Sequence, residues 1–139
     1  MPTLYPCVIT ITQEGEPLAG AMVRLFPQGF SLDWTVSGMT DDTGTAIIHT
    51  DGFFRGVPAG EYKVTVEKSE TVEPPMPDVL PTNEIELQRL FNRLEEERRS
   101  YRLVDPGYGS VDSTPLSITV GTRRTEASFD VGQKHRSLE

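Results

Sequence analysis

The chain has 139 residues, which suits one domain with a core of its own, and its single cysteine, Cys7, excludes an internal disulfide. The formal net charge of −8, from 13 basic and 21 acidic residues, argues against a nucleic-acid partner, because such affinity comes from clustered Lys and Arg. No apolar run approaches the roughly 20 residues that span a bilayer, and "MPTLYPCVIT" at the N-terminus lacks the features of a secretory signal.

Apolar and polar side chains alternate along most of the chain, with the period of two that is typical of half-buried strands. Five runs show this alternation, at residues 7–12, 21–27, 60–67, 115–120 and 126–131, and two further strands are predicted at residues 35–40 and 45–50, on either side of a turn. The side chains expected to face the core include Cys7, Ile9, Ile11, Ala21, Val23, Leu25, Tyr62, Val64 and Val66. Seven short strands with turn signals between them predict a β-sandwich.

The turn between the strands predicted at 35–40 and 45–50 offers Asp41 and Asp42, with His49 in the strand that follows. An aspartate shortly before Gly44 suits a tight hairpin, because the last turn position needs a positive φ that glycine adopts readily. A calcium loop needs about six oxygen ligands over a longer acidic spacing. His135, the only other histidine, lies near the C-terminus. We therefore predict a hairpin rather than a metal site, and no cofactor.

The alternation stops at a proline-rich connector, residues 73–82, which is expected to be extended. Asn83 can cap a helix directly after it, with Glu86 at the capping-box position. One face of this helix is apolar, with Leu87, Leu90, Phe91 and Leu94 at helical spacing. We expect this stripe to pack on the sandwich or to cover an edge strand, and the alternative is that it docks with a partner.

These elements predict an all-β fold, a seven-stranded Greek-key β-sandwich of the prealbumin-like kind, with one α-helix inserted around residues 84–101. Residues 1–132 are expected to form this single domain, which includes the connector and a helical insertion at 83–101. Residues 133–139 are expected to be a disordered tail, whose final Leu-Glu resembles a remnant of cloning before a purification tag.

Four segments, taken in chain order, resemble a known family. They are "GEPLAGAMVRLFP" (15–27), "GMTDDTGTAIIHT" (38–50), "GVPAGEYKVTVEK" (56–68) and the closing "YGSVDSTPLSITVGTRRTEASFDV" (108–131). This order is similar to the carboxypeptidase regulatory-like domain, a transthyretin-like sandwich, in a lineage found in bacterial envelope proteins. The resemblance implies a non-catalytic structural or interaction module of an exported protein, in the periplasm or cell envelope, although this chain shows no signal peptide.

The sequence predicts no enzymatic activity. There is no G-x-S-x-G elbow, Cys7 alternates with core residues, and the paired carboxylates of residues 95–97 suit a solvated helix face. A transthyretin-related hydrolase would need more histidines and a closing Tyr-Arg-Gly-Ser motif that is missing here. Some relatives form Lys-Asn crosslinks, but Asn83 and Asn92 both lie in or beside the helix, so we expect none.

Aromatic residues give the better functional lead. Trp34 lies in an irregular stretch, and Phe53 and Phe54 lie in a loop flanked by glycines. Sandwich loops that present such rings are suited to hold sugar faces, so a carbohydrate-binding module is an alternative function. The competing interpretation, which we favour, is that these rings fold back over the ends of the core. The protein or glycan partner and the oligomeric state are left open.

Overall fold

A computed structural model describes residues 2–139 and shows a β-rich chain with one α-helix, α1 (Glu84–Glu97), and one 3₁₀ turn, Pro106–Tyr108. The strands are β1 (Leu4–Tyr5), β2 (Cys7–Gln13), β3 (Glu16–Pro17), β4 (Met22–Gln28), β5 (Val36–Met39), β6 (Thr45–Ile47), β7 (His49–Thr50), β8 (Phe54–Arg55), β9 (Val57–Pro58), β10 (Gly60–Glu67), β11 (Ser69–Val72), β12 (Arg99–Arg102), β13 (Ser117–Val120), β14 (Thr125–Asp130) and β15 (Ser137–Leu138).

The core lies between two sheets that face each other. The large sheet has the order β13-β10-β4-β5-β7-β8, and the second sheet consists of β14, β2, β3 and β6, with β14 parallel to β2. Both sheets bury the side chains that alternation assigned to the inside, because strand residues two apart share a face. The all-β, sandwich-like fold is therefore confirmed, and each of the seven predicted segments contains a strand. The core residues include Cys7, Ile9, Ile11, Ala21, Val23, Leu25, Tyr62, Val64 and Val66.

The turn at residues 41–44 forms, but the strands on either side of it, β5 and β6, do not pair with each other as a hairpin would. Gly44 has a φ of +76° and its N–H donates to the Asp41 carbonyl at 2.9 Å. However, β5 pairs with β4 and β7, whereas β6 pairs with β2 in the other sheet. The strand that follows the turn changes sheets at Ile48, whose N–H donates to the Cys7 carbonyl at 3.0 Å. The turn signal identified these strands, but it carries no information on which strand each one pairs with in the folded sheets.

The predicted helix end near residue 101 is wrong, since α1 stops at Glu97. Arg98 is extended (φ −65°, ψ 134°), and Arg99–Arg102 forms β12, antiparallel to β11. Hydrogen bonding to β11 overrides the helical propensity of this Arg-rich segment. Ser137–Leu138 also adds to β12, so the tail that was expected to be disordered contains a short strand.

The helix begins where it was predicted. The Asn83 side chain accepts hydrogen bonds from the N–H groups of Ile85 (2.8 Å) and Glu86 (3.4 Å). The apolar stripe is covered only in part: Leu90 is buried in a groove that Pro77 and Val79 of the connector also line, whereas Phe91 stays 46% exposed. The helix and connector therefore form an appendage between β11 and β12.

Candidate functional site

The Asp41 carboxylate is occupied by its own turn. Its Oδ1 accepts from the Thr43 hydroxyl at 2.6 Å, the Thr43 N–H at 2.9 Å and the Thr45 N–H at 3.1 Å. These bonds favour the ionised form, and the Thr43 hydroxyl is the main cause of an Asp41 pKa below the usual 3.8. Asp42 is exposed beside it. Across residues 2–139, no group of three or more His, Cys, Asp or Glu is placed to hold a metal ion.

The two histidines lie in different parts of the fold, one in a strand of the large sheet and one in the segment before β15. His49 is in β7, where its Nδ1 lies 3.0 Å from the Ile47 carbonyl oxygen. Because that oxygen can only accept, Nδ1 carries a proton. His135 precedes β15 and its Nε2 lies 2.7 Å from the Ser137 hydroxyl. The structure therefore does not bring the histidines together into one centre.

The only thiol is buried in the core. Cys7 is 1% exposed, and desolvation by burial raises its pKa from 9.0 to about 11. The thiol is therefore protonated at neutral pH, and a thiolate is the form that attacks substrates or binds metals. This agrees with the predicted core position of Cys7.

The predicted aromatic residues lie at one end of the large sheet. Phe53 lies in the turn between β7 and β8 and Phe54 is the first residue of β8; they are 86% and 49% exposed. Trp34 is half-buried, in the loop that leads into β5. The Asp51 N–H donates to the Thr35 carbonyl at 2.8 Å, which holds the turn beside the Trp34 loop. The favoured expectation that both phenylalanines fold back over the core is not met.

Phe30, in the loop that also holds Trp34, packs against the end of the core while 37% of the residue stays exposed. Its ring meets that of Tyr62 edge to face, with centroids 5.5 Å apart and planes at 82°. Gly60 allows this approach, since a Cβ there would lie 2.6 Å from Phe30 Cε1. Sequence analysis missed Phe30 because it lies in an irregular run with no alternation. Gly60, the first residue of β10, is the one signal in the sequence that a ring approaches there.

Trp34 borders a groove of about 440 Å³ on the large sheet, which we call the Trp34 groove. Its lining includes outward-facing residues of β4 and β5 as well as the loop between them. Arg24 is the only charged side chain that lines it. Prominent among its lining residues are Met22, Arg24, Phe26, Leu32, Trp34 and Ser37. The groove is therefore mainly apolar, with one cation on its wall.

No model of a protein family matches the chain, and no curated protein matches it. A solved structure that it resembles is the major pilin subunit of Bacillus cereus, with 15% sequence identity and a TM-score of 0.47. The similarity covers 97% of this chain and 31% of the pilin chain, so the present chain spans less than a third of that protein.

A membrane-crossing helix is also not found among residues 2–139, where the one α-helix has 14 residues and carries several charges.

Proposed function

We propose that this chain is a non-catalytic structural or interaction module of a bacterial envelope or exported protein, built as a transthyretin-like sandwich of the carboxypeptidase regulatory-like kind. The observation that carries the proposal is a contrast between its polar and its aromatic residues. The Asp41 carboxylate is hydrogen-bonded within its own turn and the Cys7 thiol is buried in the core. Phe53, by contrast, is 86% exposed. The surface therefore offers contacts rather than reactive groups.

The family assignment is supported by where the four motif segments meet. Leu18, Ala21 and Val23 come from the first segment, and all three are buried. Buried residues of the other segments complete the same core: Ala46 and Ile48, then Tyr62, Val64 and Val66, then Val120 and Val131. Each of the four segments therefore supplies buried side chains to one core, as expected if they form a single scaffold.

A second candidate function is a carbohydrate-binding module that uses Trp34, Phe53 and Phe54. The exposure of the two phenylalanines favours it, because rings needed only for packing would be covered. Their turn lies beside the Trp34 loop, so a glycan chain could contact all three residues. A hydrolase of the transthyretin-related kind is disfavoured, since His49 lies in β7 of the large sheet whereas His135 lies in the segment before β15.

The single tryptophan provides the test of binding. A panel of bacterial and plant polysaccharides would be titrated while Trp34 emission is followed, with Phe53→Ala and Phe54→Ala as controls. A saturable shift that both variants weaken would support the carbohydrate-binding function. A flat response across the panel would leave the structural module as the proposal, and the search would turn to protein partners.

The envelope location needs a separate test. The full-length gene would be examined for a secretory or lipoprotein signal, and cells producing the full-length protein would be fractionated. Recovery in the periplasm or envelope is the expected result, and recovery in the cytosol would overturn the assignment.

A further inference from the structure

A row of polar and basic side chains crosses the outer face of the large sheet. The strand registers place Arg24 opposite Ser37, Ser37 opposite His49, and His49 opposite Arg55. The neighbours of Arg24 and His49 along their strands, Val23 and Thr50, are buried on the inner face, so the row lies on the outer face. Adjacent strands are about 4.8 Å apart, so the row extends about 14 Å from β4 to β8.

The row is open to a ligand. Arg24 and Arg55 are exposed, and neither makes an ion pair with another group of residues 2–139, where Arg98, Arg124 and Arg136 do. Thr65, the next position of the row on β10, is only 2% exposed, so the open part of the face begins at Arg24.

The row continues into the Trp34 groove. Arg24 and Ser37 line that groove together with the rings of Phe26 and Trp34. Cationic and aromatic groups are therefore adjacent on one side of the sheet. A ligand that lies along the row would contact guanidinium groups at both ends and aromatic rings near β4.

We propose that this outer face binds a carboxylate-bearing polysaccharide, with Arg24 and Arg55 contacting its carboxylates and Trp34 and Phe26 packing against sugar rings. The planar guanidinium fork matches a carboxylate with two parallel hydrogen bonds. His49 and Ser37 lie between the two arginines and suit sugar hydroxyls. The inference rests on the proposed role as a binding module and adds the class of ligand, and it does not require Phe53 or Phe54.

An acidic peptide fits this surface less well. Three of the four strands that carry the row, β4, β5 and β7, are paired on both sides, so a peptide could not extend the sheet there through its main chain. It would depend on side-chain contacts alone, and ordering a flexible chain lowers affinity. A polysaccharide of linked rings is stiffer, and it presents flat apolar faces to aromatic residues as well as carboxylates to arginines.

The test compares two forms of one polymer, polygalacturonate and fully methyl-esterified pectin, by titration against Trp34 emission at low salt. We expect saturable binding of polygalacturonate, loss of binding to the esterified form, and weakening with added salt. Arg24→Gln and Arg55→Gln should each weaken binding about tenfold, the effect of losing one charge-assisted hydrogen bond. Arg123→Gln, an exposed arginine in the loop before β14, is the matched control and should bind normally.

Three outcomes would overturn the inference. Equal binding of the esterified polymer would show that charge is not used, although the binding module would stand. Binding of poly-L-glutamate as tight as that of polygalacturonate would assign the face to acidic peptides. Equal weakening by Arg123→Gln would indicate a general charge effect. Both arginines are exposed, and thermal unfolding of each variant would confirm that the fold is intact.

Discussion

The Asp130 carboxylate accepts a hydrogen bond from the Thr12 hydroxyl at 2.8 Å and thereby joins the end of β14 to the end of β2. The same oxygen accepts from the Gly15 N–H at 3.0 Å, and the other accepts from the Gly132 N–H at 2.8 Å. The Gly15 N–H is the main cause of an Asp130 pKa below the usual 3.8. One side chain thus connects the last long strand, the first long strand and the turn after it.

Asp130→Asn should lower the stability of the protein at pH 7. An amide offers one oxygen where the carboxylate uses two, so a donor would face the Thr12 hydroxyl or the Gly132 N–H. The lowered pKa contributes stability that is present above pH 3.8 and is lost as the pH falls through the lower pKa of the folded state. Urea unfolding of the wild type and the variant from pH 7 to pH 2 should therefore show a difference in the free energy of unfolding that becomes smaller below pH 3.8.

Asp112→Asn is the control for this experiment, because Asp112 is exposed in a loop. It should leave the unfolding midpoint unchanged at each pH. If the difference in the free energy of unfolding between the wild type and Asp130→Asn stayed constant down to pH 2, the assigned role of the Asp130 charge would be contradicted.

Tyr62→Phe should cost about 1 to 2 kcal/mol at neutral pH. The buried Tyr62 hydroxyl donates to the Pro58 carbonyl at 2.7 Å, and removing it leaves that carbonyl without its partner. Burial, with a smaller contribution from Cys7, raises the Tyr62 pKa to about 12. The resulting stability is present below pH 10 and is lost between pH 10 and pH 12. In urea unfolding, the difference in the free energy of unfolding between the wild type and Tyr62→Phe should become smaller across that range. Tyr5→Phe should change the free energy of unfolding little.

Gly44→Ala should destabilise the sandwich more than Gly29→Ala. Both glycines have a positive φ, +76° and +82°, which costs an L-residue about 1 to 2 kcal/mol. A Cβ at Gly44 would also lie 2.5 Å from the Ile11 carbonyl oxygen, whereas a Cβ at Gly29 would meet nothing within 4 Å. We expect an additional cost of about 2 kcal/mol for Gly44→Ala, from chemical denaturation. Equal costs would mean that the turn can move away from β2.

Alternation along the chain predicted most of the core correctly. Tyr62, Val64 and Val66 are buried as expected, because a strand with one face in the core has no other way to place its apolar residues. The pairing of the strands could not be predicted from alternation. The turn at Asp41 could be identified from its glycine, but the move of β6 to the second sheet depends on contacts with β2 that are distant in sequence.

The residues of the candidate site were also predictable only in part. Trp34, Phe53 and Phe54 stood out by composition, yet the ring that packs on buried Tyr62 is that of Phe30, which the sequence did not single out. The basic row escaped sequence analysis altogether, because Arg24, His49 and Arg55 become neighbours only through the registers of four strands. A residue on the outer face of a strand gives no sign of what lies beside it on the next strand.

Phe30→Ala and Phe53→Ala should separate the structural ring from the exposed one. Removing the Phe30 ring exposes Tyr62 and loses an edge-to-face contact, so we expect a cost of about 2 kcal/mol in urea unfolding. Removing the Phe53 ring, which is 86% exposed, should change stability by no more than about 0.5 kcal/mol. If Phe53→Ala proved as costly as Phe30→Ala, the turn between β7 and β8 would be packed against the protein, and Phe53 would lose its place in the candidate binding surface.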